Sequence, residues 1–396
     1  MIVCVHIPRF ALAVAAGGRE ALAAGPVALA PEAGREQLIG EASAAAEAHG
    51  VRAGLRLGEA LARCPRLELV APDPAGVADE WDRLLAALEG IGAAVEPGEA
   101  GLAWFDARGL RALHGGCVEG VIAAARRALS TPARLGAAPS RFAALAAATR
   151  ARARRPEIAP AGPARLAAYL APLPVKLLSA RPETAALPET LERFGIATLG
   201  ALAALPRDAL ADRFGAAGPL ARDLARGRDR PLRPRTPAER LEERLDLPES
   251  ASGPQLERAL GLLIDRLLAR RERRGRPLRA VVLGAVLVGG GTWRTRMTFR
   301  EPLADSRRMR LVLAPRLADL PAPAEALRLR AEGFGPARGD QRSLLSEPAA
   351  VRAARLPEAV RQARVAAGPD AALRILAVDP DSRVPERRLA LTPWDP

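Results

Sequence analysis

The sequence predicts a multidomain α+β protein. A short apolar run, Ile2–Ile7, is followed by small helices, a hairpin at residues 91–107, another helix and another strand. A second set of strands and helices occupies residues 240–331, and a helical stretch with Gly and Pro stops lies between the two sets. The order strand, helix, hairpin, helix, strand in the first 150 residues is typical of a ferredoxin-like unit.

The composition favours a globular protein that binds a polyanion. The chain has 396 residues, of which 49% are apolar, enough for two to four domains with real cores. Lys and Arg number 59 against 45 acids, a net charge of +14, and Lys176 is the only Lys. Nucleic acid is the commonest partner of such a chain, with a membrane surface as the alternative.

The same composition predicts a cytoplasmic, nucleoid-associated protein. No apolar run reaches the roughly 18 residues of a spanning helix, and Met1–Ile7 lacks the basic start and the length of a signal peptide. Membrane is therefore not expected among its partners.

The cysteines and histidines predict neither a metal site nor a cofactor. Cys4, Cys64 and Cys117 are far apart and form no C-x-x-C pair, and the three histidines are equally scattered. We interpret the cysteines as core thiols in a reducing compartment, while a nucleophilic Cys with a His base stays open.

Two stretches carry a resemblance to a known family. The first is the opening strand, which ends at Pro8, Arg9 and Phe10, none of which can ligate a hard cation. The second is the hairpin arm Gly101–Asp106. They resemble the opening strand and the Ser-Ile-Asp-Glu-Ala-Phe-Leu-Asp motif of Y-family translesion DNA polymerases, in which three carboxylates hold two Mg²⁺ ions.

Residue by residue, this chain departs from that metal site. The family's first Asp falls on Pro8, its Asp-Glu pair falls on Gly101 and Leu102, and only the trailing Asp is kept, as Asp106. Because two-metal phosphoryl transfer needs oxygen ligands, we expect no catalytic residues here and a protein that is not an enzyme.

An active polymerase with relocated metal ligands is the alternative to a protein without catalytic residues. The acids near the hairpin are Glu96, Glu99 and Asp106, and the first strand offers no partner carboxylate.

The segment before the hairpin resembles the fingers of the same family. A helix ending at His49-Gly50-Val51-Arg52 is followed by a second helix ending near Pro65. In the family the first of these helices offers a Tyr and an Arg to the incoming triphosphate. Those positions are Ala44 and Glu47 here, and a carboxylate repels phosphate.

Apolar spacing predicts a helix over Trp81–Leu88. Asp79, Glu80 and Asp82 would then lie in its first turn, where the helix dipole favours acids. We prefer this interpretation over a displaced metal site.

The stretch 191–206 predicts two short helices joined at Gly195, with Thr198 capping the second. It is similar to the helix-hairpin-helix of Y-family thumbs, which implies that Gly195, Ile196 and Thr198 contact a DNA phosphate. A purely structural helical hairpin is the alternative.

A basic sheet is predicted after an Arg- and Pro-rich linker. Period-two alternation places Trp293, Met297 and Phe299 on the core face. The opposite face then carries Arg294, Arg296, Arg300, Arg328 and Arg330. This looks like the Y-family little finger, which implies contact with DNA backbone, and a merely solvated face is the alternative.

The tail carries a short peptide motif. Gln341, Leu344 and Leu345 resemble the bacterial motif that enters the apolar pocket of the sliding clamp, with an ordinary loop as the alternative. The C-terminal end resembles ImuB-like, noncatalytic members of bacterial mutasomes. That resemblance implies an adaptor in SOS-induced translesion repair of damaged DNA, with primer–template DNA, the sliding clamp, an error-prone C-family polymerase and a RecA-like protein as partners.

The predicted organisation follows the Y-family architecture. It comprises a ferredoxin-like palm at 1–165 with a fingers insertion at about 17–75, a helix-hairpin-helix thumb at 166–230, a linker at 231–239, a βαββαβ little finger at 240–335 and a partner-binding tail at 336–396.

Overall fold

The computed structural model describes residues 1–32, 36–237, 241–247, 251, 253–336, 356, 359–360, 362–364, 368–378, 381 and 383–393. The chain divides into two compact units, Met1–Phe334 and Gly335–Pro396, and each is described by itself. The clamp-like motif lies outside the described residues.

The strands and helices follow one another in a mixed order. The strands are β1 (Ile2–His6), β2 (Val27–Leu29), β3 (Glu68–Val70), β4 (Val95–Pro97), β5 (Leu102–Asp106), β6 (Arg134–Ala138), β7 (Glu157–Ile158), β8 (Leu241–Asp246), β9 (Leu278–Leu287), β10 (Thr292–Leu303), β11 (Ala324–Phe334), β12 (Leu373–Ala377) and β13 (Leu389–Pro393). The main helices are α1 (Phe10–Ala15), α2 (Arg19–Ala24), α3 (Ala44–Ala48), α4 (Leu57–Arg63), α5 (Pro74–Gly90), α6 (Val118–Ala128), α7 (Arg141–Arg150), α8 (Pro163–Leu170), α9 (Leu187–Arg193), α10 (Leu199–Ala204), α11 (Arg207–Phe214), α12 (Ala217–Ala225), α13 (Gly253–Ala269) and α14 (Ser306–Leu313).

A five-stranded sheet with the order β4-β5-β1-β6-β7 organises the first part of the chain. β1 pairs antiparallel with β5 on one side and with β6 on the other, and β7 extends the sheet in parallel. This is the ferredoxin-like order with one added strand, and it confirms the fold class predicted for the first 150 residues.

The central strand β1 is buried on both faces. Val3 and Val5 pack with α5 and α6, whereas Cys4 packs with α7 on the opposite face. Successive strand side chains point to opposite faces, so a continuous apolar run is what a two-sided core requires. The predicted buried strand is confirmed.

Helix α7 lies unusually close to the sheet. A Cβ at Gly136 would stand 2.1 Å from the Ala148 nitrogen and 2.6 Å from the Ala144 oxygen. The Ala-rich face of α7 and the absent side chain at position 136 therefore permit a backbone contact that any larger residue would push apart.

Helix α5 begins earlier than predicted. Pro74 occupies its first turn, and the Asp73 carboxylate caps it by accepting a hydrogen bond of 2.8 Å from the Gly76 nitrogen. Asp79 and Asp82 consequently lie beyond the first turn, so the helix-dipole explanation for them is wrong.

Between the first sheet and the second, helices α8–α12 form an all-helical layer. Leu191, Leu199 and Leu202 are buried in its core. α9 and α10 are joined at Gly195, which has a φ of 77°, and the Thr198 hydroxyl accepts a hydrogen bond of 3.2 Å from the Ala201 nitrogen. The predicted helical hairpin and its cap are confirmed.

A buried ion pair ties this helical layer to α7. Arg181 donates to Asp229 over 2.9 Å, and the two side chains are 5% and 0% exposed. The second oxygen of Asp229 accepts a hydrogen bond of 2.9 Å from the Phe142 nitrogen at the start of α7.

A second, four-stranded antiparallel sheet has the order β10-β9-β11-β8. Helices α13 and α14 cover one face, where Trp293, Met297 and Phe299 contact the core as predicted. The period-two alternation of β10 is thereby confirmed, and its arginines lie on the other face.

The Arg- and Pro-rich segment between the sheets lies along β4, the edge strand of the first sheet. The Arg235 nitrogen donates to the Val95 oxygen over 2.8 Å, and the Arg233 nitrogen donates to Glu96 over 2.7 Å. The Arg235 guanidinium donates to Glu89 over 2.6 Å. That hydrogen bond is the main reason why the pKa of Arg235 is raised.

The second unit contains an antiparallel hairpin of β12 and β13, in which Ile375 faces Leu391. Both side chains are 67% exposed.

Candidate functional site

A cleft lies where β1 leaves the first sheet. The Ile7 nitrogen donates to the Gly101 oxygen over 2.8 Å, which joins the exit of β1 to the β4–β5 turn. The resulting cavity of about 280 Å³ is lined by both polar and apolar residues. Its charged or ionisable lining residues are His6, Arg9, Glu41, Glu99 and Lys176.

The three family metal positions, Pro8, Gly101 and Leu102, line this cleft, but none of them carries a carboxylate. Gly101 has a φ of 93°, and a Cβ there would stand 2.7 Å from the Ile7 oxygen and 2.8 Å from the Phe10 Cβ. No carboxylate can therefore replace Gly101 without moving β1, and Pro8 and Leu102 offer no ligand oxygen. The family's pair of Mg²⁺ ions does not fit at these three positions.

Arg9 has an unusual backbone conformation at the mouth of the cleft. Its φ of 55° is in the left-handed region, which is uncommon for a residue with a side chain. The guanidinium donates to the Ala42 oxygen over 2.7 Å and to the Glu47 carboxylate over 2.5 Å.

The sequence predicts that Glu47 is a free negative charge, but in the structure its carboxylate forms an ion pair with Arg9. Ala44 is an exposed residue that begins α3. The positive charge beside α3 is supplied here by Arg9, at the exit of β1.

Two of the three acids considered near the hairpin point away from the cleft. Glu96 is buried and forms an ion pair of 3.3 Å with Arg141. Asp106 lies at the far end of β5; burial raises its pKa, but hydrogen bonds from Arg108 outweigh this and the pKa is lowered overall.

Glu99 stays at the cleft, and Glu41, which the sequence did not single out, joins it. The Glu41 carboxylate is held by the Leu12 nitrogen over 2.9 Å. Within the described ranges, no group of three or more His, Cys, Asp or Glu side chains could hold a metal ion.

His6 lies at the inner end of the cleft. Burial, followed by the charge of Arg134 on the neighbouring strand, lowers its pKa to about 4. The imidazole is neutral at physiological pH, and among the described residues its Nδ1 has no hydrogen-bond partner.

The predicted DNA-binding arginines do not form one free basic face. Arg300 is exposed, and Arg296 is exposed although it pairs with Glu332. Arg328 is buried and Arg330 is half-buried, both against α5. The five arginines therefore differ in exposure, and binding of phosphate by this face stays a prediction.

The helical hairpin presents its predicted residues to solvent. Gly195 is exposed, and Ile196 and Thr198 are half-buried. Phe194 next to them is 52% exposed and lies 4.6 Å beneath the Arg213 guanidinium.

Sequence reasoning missed three features of the site. These are the Arg9–Glu47 pair, the contribution of Glu41 and the acids that contact the basic sheet. Only the role of Arg9 had a signal in the sequence, because Pro8 and Arg9 directly follow a buried strand. A residue at such an abrupt strand end often adopts unusual backbone angles.

Comparison with known proteins supports a common family. Residues 5–149 match the model of the impB/mucB/samB family. A DNA polymerase IV of Dehalococcoides mccartyi strain CBDB1 is 25% identical over 366 residues, which cover 91% of this chain and 93% of that protein. A DNA polymerase IV of Caulobacter vibrioides is 27% identical over 201 residues, which cover 50% of this chain and 49% of that one.

The chain is also similar to solved structures of DNA polymerases. The insertion ternary complex of Dbh DNA polymerase is 16% identical, covers 84% of this chain and 99% of its own, and has a TM-score of 0.49. A Y-family DNA polymerase chimera of Dbh and Dpo4 gives the same values.

The prediction that the chain is not an enzyme is wrong, because the relatives that align with it are named as polymerases. Within the described part of the chain, no helix is long and apolar enough to cross a bilayer. The narrower resemblance to ImuB-like proteins stays a prediction. Residues 5–149 therefore match the impB/mucB/samB family, and 91% of the chain is similar to a protein named DNA polymerase IV.

Proposed function

We propose that the chain is a polymerase-type enzyme that acts on primer–template DNA in translesion synthesis. The alignment with DNA polymerase IV over 91% of the chain supports this proposal. The net charge of +14 and the exposed arginines at 296 and 300 support binding to a phosphate backbone without reading its sequence.

The observation that carries the proposal is the cleft at the exit of β1. It combines two carboxylates, Glu41 and Glu99, with the cations of Arg9 and Lys176 around a cavity of about 280 Å³. The cations suit the phosphates of a nucleotide. A carboxylate can accept the proton that a primer 3′-hydroxyl loses as its oxygen bonds to the α-phosphate of a nucleoside triphosphate and the bond to the leaving pyrophosphate breaks. A positioned proton acceptor contributes about 10²–10⁴-fold to such reactions.

Primer extension by the purified protein tests this assignment. We expect extension of a primer–template by the wild type in Mg²⁺ or Mn²⁺, and a loss of about a hundredfold in rate in Glu41→Gln or Glu99→Gln. Glu257→Gln removes the same charge from an exposed helix position in α13 and should leave the rate unchanged.

Two results would contradict the proposal. Absence of extension by the wild type in either metal would overturn the enzymatic role. Equal rates for the cleft variants and the control would show that the carboxylates of the cleft take no part.

We further propose that Gln341, Leu344 and Leu345 bind the sliding clamp. Their support is the sequence alone: two adjacent Leu side chains follow a folded domain between Gly and Pro residues. Induction by DNA damage, the C-family polymerase and the RecA-like partner stay predictions from the resemblance.

A further inference from the structure

Helix α5 presents a row of carboxylates to the second sheet. We call Asp73, Asp79 and Asp82 the acidic edge; Asp73 caps the helix, and the other two are three residues apart and therefore share one face. They lie more than 200 residues from the strands that they contact.

The sheet offers a matching recess. Register places Arg294 of β10 and Arg328 of β11 on either side of Gly284 in β9. Because Gly284 has no side chain, the space between the two guanidinium groups is open, and the nearest atom to a Cβ built there is the Trp293 oxygen at 3.5 Å.

The carboxylate of Asp79 is shared by three arginines of this face. It lies 3.4 Å from Arg328, 3.7 Å from Arg294 and 3.9 Å from Arg330. The Arg328 and Asp79 side chains are only 9% and 15% exposed, so solvent screens this contact less than a surface ion pair.

The other two acids extend the contact in both directions. Asp82 lies 3.4 Å from Arg330 and 3.1 Å from Arg235 of the linker. The Thr292 hydroxyl donates to Asp73 over 2.8 Å. The acidic edge therefore meets the sheet at several points along its length.

We propose that the acidic edge is an intramolecular competitor of DNA. A carboxylate and a phosphate oxygen are the same kind of partner for a guanidinium, and three of the five arginines predicted to contact DNA are held by aspartates of α5. DNA can pair with these arginines only after the second sheet has separated from α5. This inference rests on the DNA binding proposed above.

Competition of this kind has a distinct salt signature. DNA binding releases about 0.9 counterion for each phosphate that a cation neutralises. Arginines that must first leave a carboxylate contribute less to this release, since both contacts weaken together as salt rises. Removing the carboxylates should therefore tighten binding and also steepen the dependence of affinity on salt.

The test uses the full chain with Asp79→Asn and Asp82→Asn combined. We expect binding to a primer–template at least about fivefold tighter than wild type, the lower end of usual coupling factors, and a steeper plot of log affinity against log salt. Glu20→Gln with Glu257→Gln removes the same two charges from exposed positions of other helices and is the matched control.

A distance measurement reports the movement itself. Cys117 is exposed whereas Cys4 and Cys64 are buried, so Cys117 and an added Ala318→Cys on the second sheet's domain can carry a donor and an acceptor dye. We expect DNA to change energy transfer in the wild type, and the Asp79 and Asp82 variant to show that change without DNA.

The outcomes separate this inference from the proposed function. Affinity, salt slope and energy transfer equal to those of the matched control would overturn the competition and leave DNA binding intact. No binding by any of the proteins at low salt would overturn the proposed function, and the competition with it.

Discussion

Lowering the pH should destabilise the protein through one histidine. His6 is held between Leu102 and Arg134 on the neighbouring strands, and its pKa is about 4 in the folded protein against an ordinary 6.5. Between about pH 4 and pH 6.5, His6 binds a proton in the unfolded chain but not in the folded chain. The free energy of unfolding therefore rises with pH across this window. The stability that depends on a neutral His6 is fully present above pH 6.5.

The magnitude follows from the two pKa values. Each pKa unit corresponds to about 1.36 kcal/mol, so the difference between a pKa of 6.5 and one of about 4 corresponds to roughly 3 kcal/mol of unfolding free energy. This is a sizeable part of the typical 5–15 kcal/mol by which native proteins are stable. The pKa of His6 is lowered mainly by burial of the ring and further by the charge of Arg134. A side chain that does not titrate would not make stability depend on pH in this way.

Urea unfolding of wild type and His6→Gln between pH 4 and 7 measures this contribution. We expect the wild type to lose about 2–3 kcal/mol more than the variant as the pH falls. Other groups titrate in both proteins, so the difference isolates His6. His49→Gln, at an exposed position, should follow the wild type. Parallel curves for wild type and His6→Gln would refute the reasoning.

Two further predictions concern stability and partner choice. Asp229→Ala removes the nearer ion partner of the buried Arg181, which keeps a 3.8 Å contact with Glu183, and should cost about 3–5 kcal/mol of unfolding free energy in the same urea assay; a loss under about 1 kcal/mol would show that water or Glu183 replaces the carboxylate. Leu344→Ala with Leu345→Ala should weaken titrated sliding-clamp binding by about tenfold or more while leaving DNA affinity unchanged, whereas equal clamp affinity would reject the motif.

Local patterns predicted much of the fold. The continuous apolar run of β1 and the alternation of β10 each indicate which faces are buried, and the structure confirms both. The start of α5 was missed because Asp73, Pro74 and Gly76 look like a turn when read without the helix that they begin.

The site was less predictable because its pairs join distant parts of the chain. Arg9 forms an ion pair with Glu47 of α3, and Asp79 of α5 forms one with Arg328 of the second sheet. The period of a strand shows that Arg328 points away from its own core, but it cannot show what lies on that side. The sequence therefore leaves a charge on an outward face as either solvated or DNA-binding, and it does not reveal that α5 covers Arg328.

The attachment of the linker to β4, at the edge of the first sheet, sets how far the second sheet can move. Arg235 is bonded to Val95, and only five residues separate it from Leu241, where β8 begins. Such a tether reaches roughly 20 Å when fully extended. The acidic edge thus remains at a high effective concentration near the released sheet, so DNA competes with a partner that cannot diffuse away. Weak individual ion pairs can hold such a domain, and a long duplex that engages many arginines at once is the kind of ligand able to release it.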